Sequence, residues 1–137
     1  MIGVTLVDTN VLLDVATNDP RWANWSIRQL EMAASRGRLL INDIAYAELS
    51  VRFERIEDVD RFLAVGGFEI EGTPRPALFL AGKAFRLYRE RGGARTGVLP
   101  DFLIGAHAAV AGLSLLTRDE GRYRTYYPTV ELITPDT

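Results

Sequence analysis

Asp8, Glu48, Asp101 and Asp119 are the residues whose type and spacing could do chemistry in this chain of 137 residues. Each lies in or beside an apolar run. Asp8 closes Leu6-Val7-Asp8, and Asp119 closes Leu116-Thr117-Arg118-Asp119. Glu48 lies in Ala45-Tyr46-Ala47-Glu48-Leu49, and Asp101 directly follows Pro100. Brought together, such carboxylates repel: two unit charges about 4 Å apart interact by about 4 kcal/mol at an effective dielectric of 20. Divalent cations relieve that repulsion, and oxygen-only ligation suits Mg2+ or Mn2+, one or two ions per site. Carboxylate sites of this kind serve phosphodiester cleavage, where one ion makes an attacking water more hydroxide-like and another stabilises the leaving oxygen. Taken singly, each acid also has an ordinary reading. Asp8, Asp101 and Asp119 could each cap a helix, and Glu48 could face solvent.

Composition narrows the chemistry further. There is no cysteine, which excludes disulfide scaffolds, thiol nucleophiles, Fe–S clusters and Cys-ligated zinc. His107 is the single histidine, so a His-rich metal site is excluded as well. The length, with 47% hydrophobic and 25% charged residues, fits one globular domain spanning residues 1–137. No targeting or membrane segment is visible. The longest uncharged stretch, 102–117, falls short of the roughly 20 residues a membrane helix needs. The expected location is the cytoplasm.

The elements that must position the four acids alternate between strand-like and helix-like patterns. Val4 to Val7, Leu39 to Ile41, Phe68 to Ile70 and Leu113 to Leu116 read as strands, with Val130 to Ile133 as an edge strand. Helices are expected over Asn10–Ala16, Trp22–Ser35, Ile44–Glu54, Glu57–Val65, Pro76–Arg91 and Pro100–Ala111. Strands separated by helices imply a parallel sheet with helices on both faces. Ligands then bind beyond the carboxyl ends of the strands. Asp8 and Asp119 follow the first and fourth strands. Glu48 lies about two turns into the helix after the second strand, and Asp101 sits in the first turn of the helix feeding the fourth. All four can therefore point at one place.

In order along the chain, these residues resemble a PIN domain, and more closely the VapC toxins of VapBC toxin–antitoxin pairs. The matching pieces are Val7-Asp8-Thr9-Asn10-Val11-Leu12-Leu13, Ile41-Asn42 with Tyr46-Ala47-Glu48-Leu49, Leu99-Pro100-Asp101-Phe102-Leu103-Ile104-Gly105-Ala106-His107-Ala108, and Leu115-Leu116-Thr117-Arg118-Asp119 with Tyr123. The ending from Tyr127-Pro128 to Pro135 is similar too. The resemblance implies a three-layer α/β/α sandwich around a parallel sheet of four or five strands in the order 3-2-1-4-5. It implies an Mg2+- or Mn2+-dependent endoribonuclease acting on single-stranded regions of RNA, a cognate VapB-type antitoxin that blocks the acidic pocket, and a homodimer. The family's four acids map onto Asp8, Glu48, Asp101 and Asp119, with Asp8 and Asp101 as direct ligands and Glu48 and Asp119 completing the shell. Asn10 matches a position that orients the first acid, and Thr117 supports it. Asp43 departs from the pattern, since relatives often carry proline there. It is expected to cap the following helix, the alternative being added charge at the pocket rim.

Other polar residues are weighed against this frame. His107 falls six residues after Asp101, about 120° around a helix, and is expected to face away from the acids. Asp14 is expected to be an exposed helix residue. Charge is uneven. Residues 86–124 hold seven Arg and four acids, a net of +3, in a chain of net charge −2. An RNA backbone could lie along Arg86, Arg89, Arg91, Arg95, Arg118, Arg122 and Arg124, although solvated helix faces would look the same. Tyr123 and Tyr126 could stack on unpaired bases, with core packing expected for at least one. Trp22 and Trp25 are expected on one helix face, in the core or at a partner interface. The rival reading is an inactive PIN-fold interaction module whose acidic pocket binds a basic partner segment. A haloacid-dehalogenase-type phosphatase is disfavoured, because Asn10 stands where its second acid would be and Lys83 is the only lysine.

Overall fold

The computed structural model describes residues 3–93 and 98–135. Five strands and seven helices alternate along them. They run β1 (Val4–Val7), α1 (Thr9–Ala16), α2 (Ala23–Arg36), β2 (Arg38–Asn42), α3 (Asp43–Ser50), α4 (Ile56–Val65), β3 (Phe68–Glu71), α5 (Arg75–Glu90), α6 (Leu99–Ala111), β4 (Ser114–Leu116), α7 (Gly121–Tyr126) and β5 (Leu132–Ile133). The strands form one sheet in the order β3-β2-β1-β4-β5, and every neighbouring pair is parallel. β1 is buried along its whole length, and only Arg38 of β2 is exposed. Strands covered on both faces need such apolar runs. The fold is the PIN-like three-layer α/β/α sandwich, and the sequence order 3-2-1-4-5 holds.

The order carries the consequence for function. The chain steps outward from β1 to β3, then returns past β1 to β4. Right-handed crossovers send the outward helices to one face and α5–α6 to the other. The connections therefore part between β1 and β4, where Leu6 pairs with Leu115 and Val7 with Leu116. Ligands bind at that parting.

α6 is seated there by close packing. A Cβ on Gly105 would meet the Tyr127 ring at 2.5 Å, so only glycine lets the helix lie against that ring. The Tyr127 hydroxyl donates to the Phe102 carbonyl at 2.8 Å. Gly112 ends the helix in the left-handed conformation, at φ 67°, and turns the chain into β4.

Four details depart from the sequence expectation. The helix expected over 44–54 ends at Ser50, and 51–55 form a turn instead. α7 was not anticipated: six residues are too few for a helical period to show. Asp14 is not exposed but 2% accessible. α1 packs on α2, and Asp14 is covered by Ser26 of α2 and by Arg118, a partner 104 residues away that no local pattern reveals. Asn42 rather than Asp43 caps α3, accepting from Ala45 N at 2.9 Å. Asp43 is the first residue of that helix, and its carboxylate accepts from the backbone and hydroxyl of Thr73, tying down the chain before α5.

Candidate active site

Asp8 ends β1 and caps α1, so its backbone is held by the sheet and the helix together. Its own N–H donates to Leu116 O of β4 at 2.9 Å, and its Oδ1 accepts from Thr9 N at 2.7 Å. Oδ2 accepts from the Thr117 hydroxyl at 2.7 Å, the Tyr123 hydroxyl at 2.9 Å and Asn10 Nδ2 at 3.4 Å. The residue is only 4% accessible. Burial pushes its carboxyl up to about 6. The Thr117 bond pulls against this, and the charge of Asp101 adds to it.

Asp101 arrives from another layer. Pro100 sits in the first turn of α6, and Asp101 N donates to Val98 O at 3.0 Å. Its Oδ2 accepts from Arg122 Nη2 at 2.7 Å. Glu48, on α3, accepts from the Thr9 hydroxyl at 2.6 Å. Burial raises its carboxyl, Thr9 opposes that, and Asp101 raises it further. Asp101 thus acts on both other carboxylates, which is the electrostatic sign of three acids sharing one space. They line one cleft of about 370 Å3 together with Thr9, Asn10, Leu13, Val51 and Arg52.

Asp119 stands at the rim rather than in that lining. Its side chain is half exposed and lies 3.8 Å from Arg122 Nη2. Its N–H donates to the Thr117 hydroxyl at 3.0 Å. Asn10 ties the halves together, donating to Thr117 Oγ1 at 3.3 Å and accepting from Arg118 N at 3.2 Å. Arg118 itself forks onto Asp14 at 2.7 and 3.0 Å and lies over the Trp22 ring. Trp22 precedes α2 and meets Trp25 edge-on, and Trp25 packs on the core.

Four other cations expected along an RNA backbone have partners inside the chain. Arg86 pairs with Glu90, Arg124 with Glu120, and Arg89 and Arg91 lie over Phe85 and Tyr126. Arg95 lies outside the described residues. Tyr123 is core, held to Asp8, while Tyr126 packs against Phe102 and Tyr88 and is partly accessible. His107 is wholly buried and meets Asn42 and Glu71 rather than the acids. Sequence reading assigned no role to Thr9 or Arg52. Thr9 carried a signal, a hydroxyl one residue after the first acid. Arg52 carried none, because its place depends on where α3 stops.

The donor set fits a hard divalent cation: all oxygen, negatively charged, and mutually repelling as it stands. Among the described residues, no three His, Cys, Asp or Glu side chains are arranged to hold an ion in their present conformations. As they stand, the carboxylates accept from internal donors: Glu48 from Thr9, Asp8 from Thr117 and Tyr123, and Asp101 from Arg122. No helix among the described residues is long and apolar enough to cross a membrane.

Several solved structures share the architecture. A chain of the VapBC2 complex from Rickettsia felis, bound to a DNA fragment from its promoter, superposes with a TM-score of 0.72 at 20% identity, covering 96% of this chain and 98% of that one. VapBC-1 from nontypeable Haemophilus influenzae gives 0.71 at 17% identity, covering 98% and 99%. A toxin–antitoxin complex from Klebsiella pneumoniae gives 0.65 at 26% identity, covering 96% and 97%. No curated protein matches the chain by sequence. The PIN domain family model matches residues 5–126, and with that extent of match the chain belongs to the PIN domain family.

Proposed function

We propose that this chain is the toxin of a VapBC-type pair, an endoribonuclease that cuts single-stranded regions of RNA with Mg2+ or Mn2+ and is silenced by a cognate antitoxin. The observation that carries the reading is the cleft at the β1–β4 parting, where Asp8, Glu48 and Asp101 arrive from three different elements. Asp8 and Asp101 would hold the cation, with Glu48 and Asp119 completing its surroundings. A cation bound there neutralises developing charge and lowers the pKa of a coordinated water. The chain itself does the positioning. Thr9 aims Glu48, while Thr117, Asn10 and Tyr123 fix the plane of the Asp8 carboxylate. Arg122 stands beside Asp101, where a phosphate would pass.

The antitoxin reading rests on a second surface. An apolar groove of about 520 Å3 runs between α2 and α4, lined by Val15, Ile27, Leu30, Phe62, Val65 and Phe68 among others. We propose that an apolar segment of the antitoxin lies in it, and that a basic side chain of the same partner reaches the acids. The reading includes a homodimer, which sedimentation of the purified chain checks.

The test is cleavage of total cellular RNA with Mg2+ or Mn2+, beside Asp101→Asn protein prepared identically. Discrete new ends from the wild type alone support the proposal. Cleavage by both proteins sinks it. One observation favours a second reading, a non-catalytic module: the acids are already engaged by internal donors. Under that reading neither protein cuts, and Mn2+ leaves the melting temperature of both unchanged.

A further inference from the structure

Arg122 is the cation already inside the cleft. It lies at the start of α7 and reaches back to α6, donating from Nη2 to Asp101 Oδ2 at 2.7 Å. The same nitrogen is 3.8 Å from Asp119 Oδ2. One guanidinium therefore serves two of the four acids. The pair is mostly shielded, with about a quarter of the Arg122 side chain and 30% of Asp101 accessible.

Holding α7 in place does not account for this contact. The helix is fixed without it: Tyr123 is buried and bonded to Asp8, Tyr126 packs edge-on against Phe102, and the next residue, Tyr127, donates to Phe102 O. The contact is also incomplete. Arg122 Nε is a buried donor with no hydrogen-bond partner among the described residues. A buried unpaired donor is unfavourable, so the guanidinium is held by the charge of Asp101 rather than by a full set of bonds.

We propose that Arg122 is an exchangeable counter-cation: it neutralises Asp101 while no divalent ion is present, leaves when the ion binds, and then offers its fork to the RNA backbone. This rests on the cation-dependent reading of the same cleft. The physical ground is competition. A divalent ion at Asp101 competes for the carboxylate that Arg122 now holds by one oxygen, and its charge repels a guanidinium so near. Once released, a planar fork suits a phosphate better than an ammonium would.

The experiment is calorimetric titration of the purified chain with Mn2+, without RNA, for wild type, Arg122→Met and Arg122→Lys. The Met variant should bind roughly tenfold more tightly, since it breaks no charge-assisted hydrogen bond on binding. Mn2+ should also raise its melting temperature by more than it raises that of the wild type. The Lys variant, which keeps a charge within reach of Asp101, should stay nearer the wild type. Arg122→Gln replaces Met if that variant does not fold. Equal or weaker Mn2+ affinity without Arg122 overturns the exchange while leaving the cation site standing. No Mn2+ binding by any of the proteins overturns the cation site and the exchange with it.

Discussion

At the scale of single residues, the acids are shaped by neighbours that carry no charge. Thr9 is the clearest case. Its hydroxyl, 2.6 Å from Glu48 Oε1, fixes the direction of a carboxylate that would otherwise have rotamer freedom at the edge of the cleft. Thr9→Val keeps the shape and removes the donor. Partners that orient a ligand typically account for 10–100-fold in metal affinity or activity. Thr9→Val should therefore weaken Mn2+ binding by roughly that factor, and Thr9→Ser should restore most of it. A Val variant that titrates like the wild type would show that Glu48 needs no such guide. His107 makes a different prediction. It is buried, accepts from Asn42 Nδ2 at Nδ1, and has Glu71 Oε1 3.6 Å from Nε2, with Asp43 the other charge in reach. Burial lowers its pKa, and the two acids only partly offset this. The unfolded chain thus takes up a proton on His107 more readily than the folded one. Stability is fully present above the unfolded value, about 6.5, and declines as pH falls through it. The melting temperature of the wild type should drop between pH 8 and pH 5.5 by more than that of His107→Gln. Parallel curves would mean that the histidine keeps its ordinary value when folded.

At the scale of elements, the turn between β4 and α7 decides where Asp119 and Arg122 stand, and an ion pair anchors it. Arg118 forks onto Asp14, which also accepts from Ser26 at 2.6 Å. The pair is lopsided: the Asp14 side chain is 3% accessible and that of Arg118 27%. Breaking a buried pair costs about 3–5 kcal/mol when a charge is left behind without a partner. Arg118→Met strands a buried carboxylate. Asp14→Leu instead strands a guanidinium with a way out to water. Urea denaturation should therefore show the larger loss for Arg118→Met, and the reverse order would argue that Ser26 alone satisfies the buried Asp14 carboxylate. This pair also marks where the sequence stops being legible. The periodic elements are local, and β1, β2, α5 and α6 follow from apolar spacing and from Pro and Gly punctuation. Asp8, Glu48 and Asp101 could be placed because each stands at a fixed offset from such an element. Asp119 was placed in the cleft by the same logic and stands at the rim, because two residues and a tight turn separate it from β4. Asp14 was misread because its partner is 104 residues distant. α7 was missed because it is held by Tyr123 and Tyr127 against α6, not by its own pattern.

At the scale of the whole molecule, two surfaces must be told apart. The acidic cleft is lined in part by α1 and α3, and the apolar groove lies between α2 and α4; α1 borders both, through Thr9, Asn10 and Leu13 on the cleft and Val15 on the groove. The groove leaves Ile27 39% and Val65 84% accessible. Side chains of this size gain about 1.5–3 kcal/mol each on full burial, so a groove that presents them in a row is suited to an apolar partner. If the partner is held chiefly there, inhibition and catalysis are separable. Ile27→Arg sets a charge on the groove wall, which also carries Glu31 and Asp58, without touching the four carboxylates of the cleft or their hydrogen-bond partners. It should weaken antitoxin binding by a hundredfold or more, since about 2.7 kcal/mol suffices for that factor and taking a charge out of water into an apolar contact costs several kcal/mol per ion. RNA cleavage by the free variant should match the wild type. The same variant mixed with antitoxin should go on cutting at concentrations that silence the wild type. If Ile27→Arg remains fully inhibited, the partner holds the chain through the acidic cleft alone, and the groove belongs to some other contact. If the free variant loses cleavage while keeping its melting temperature, the groove and the cleft are not independent, and α2 must help to position α1 and with it Asp8.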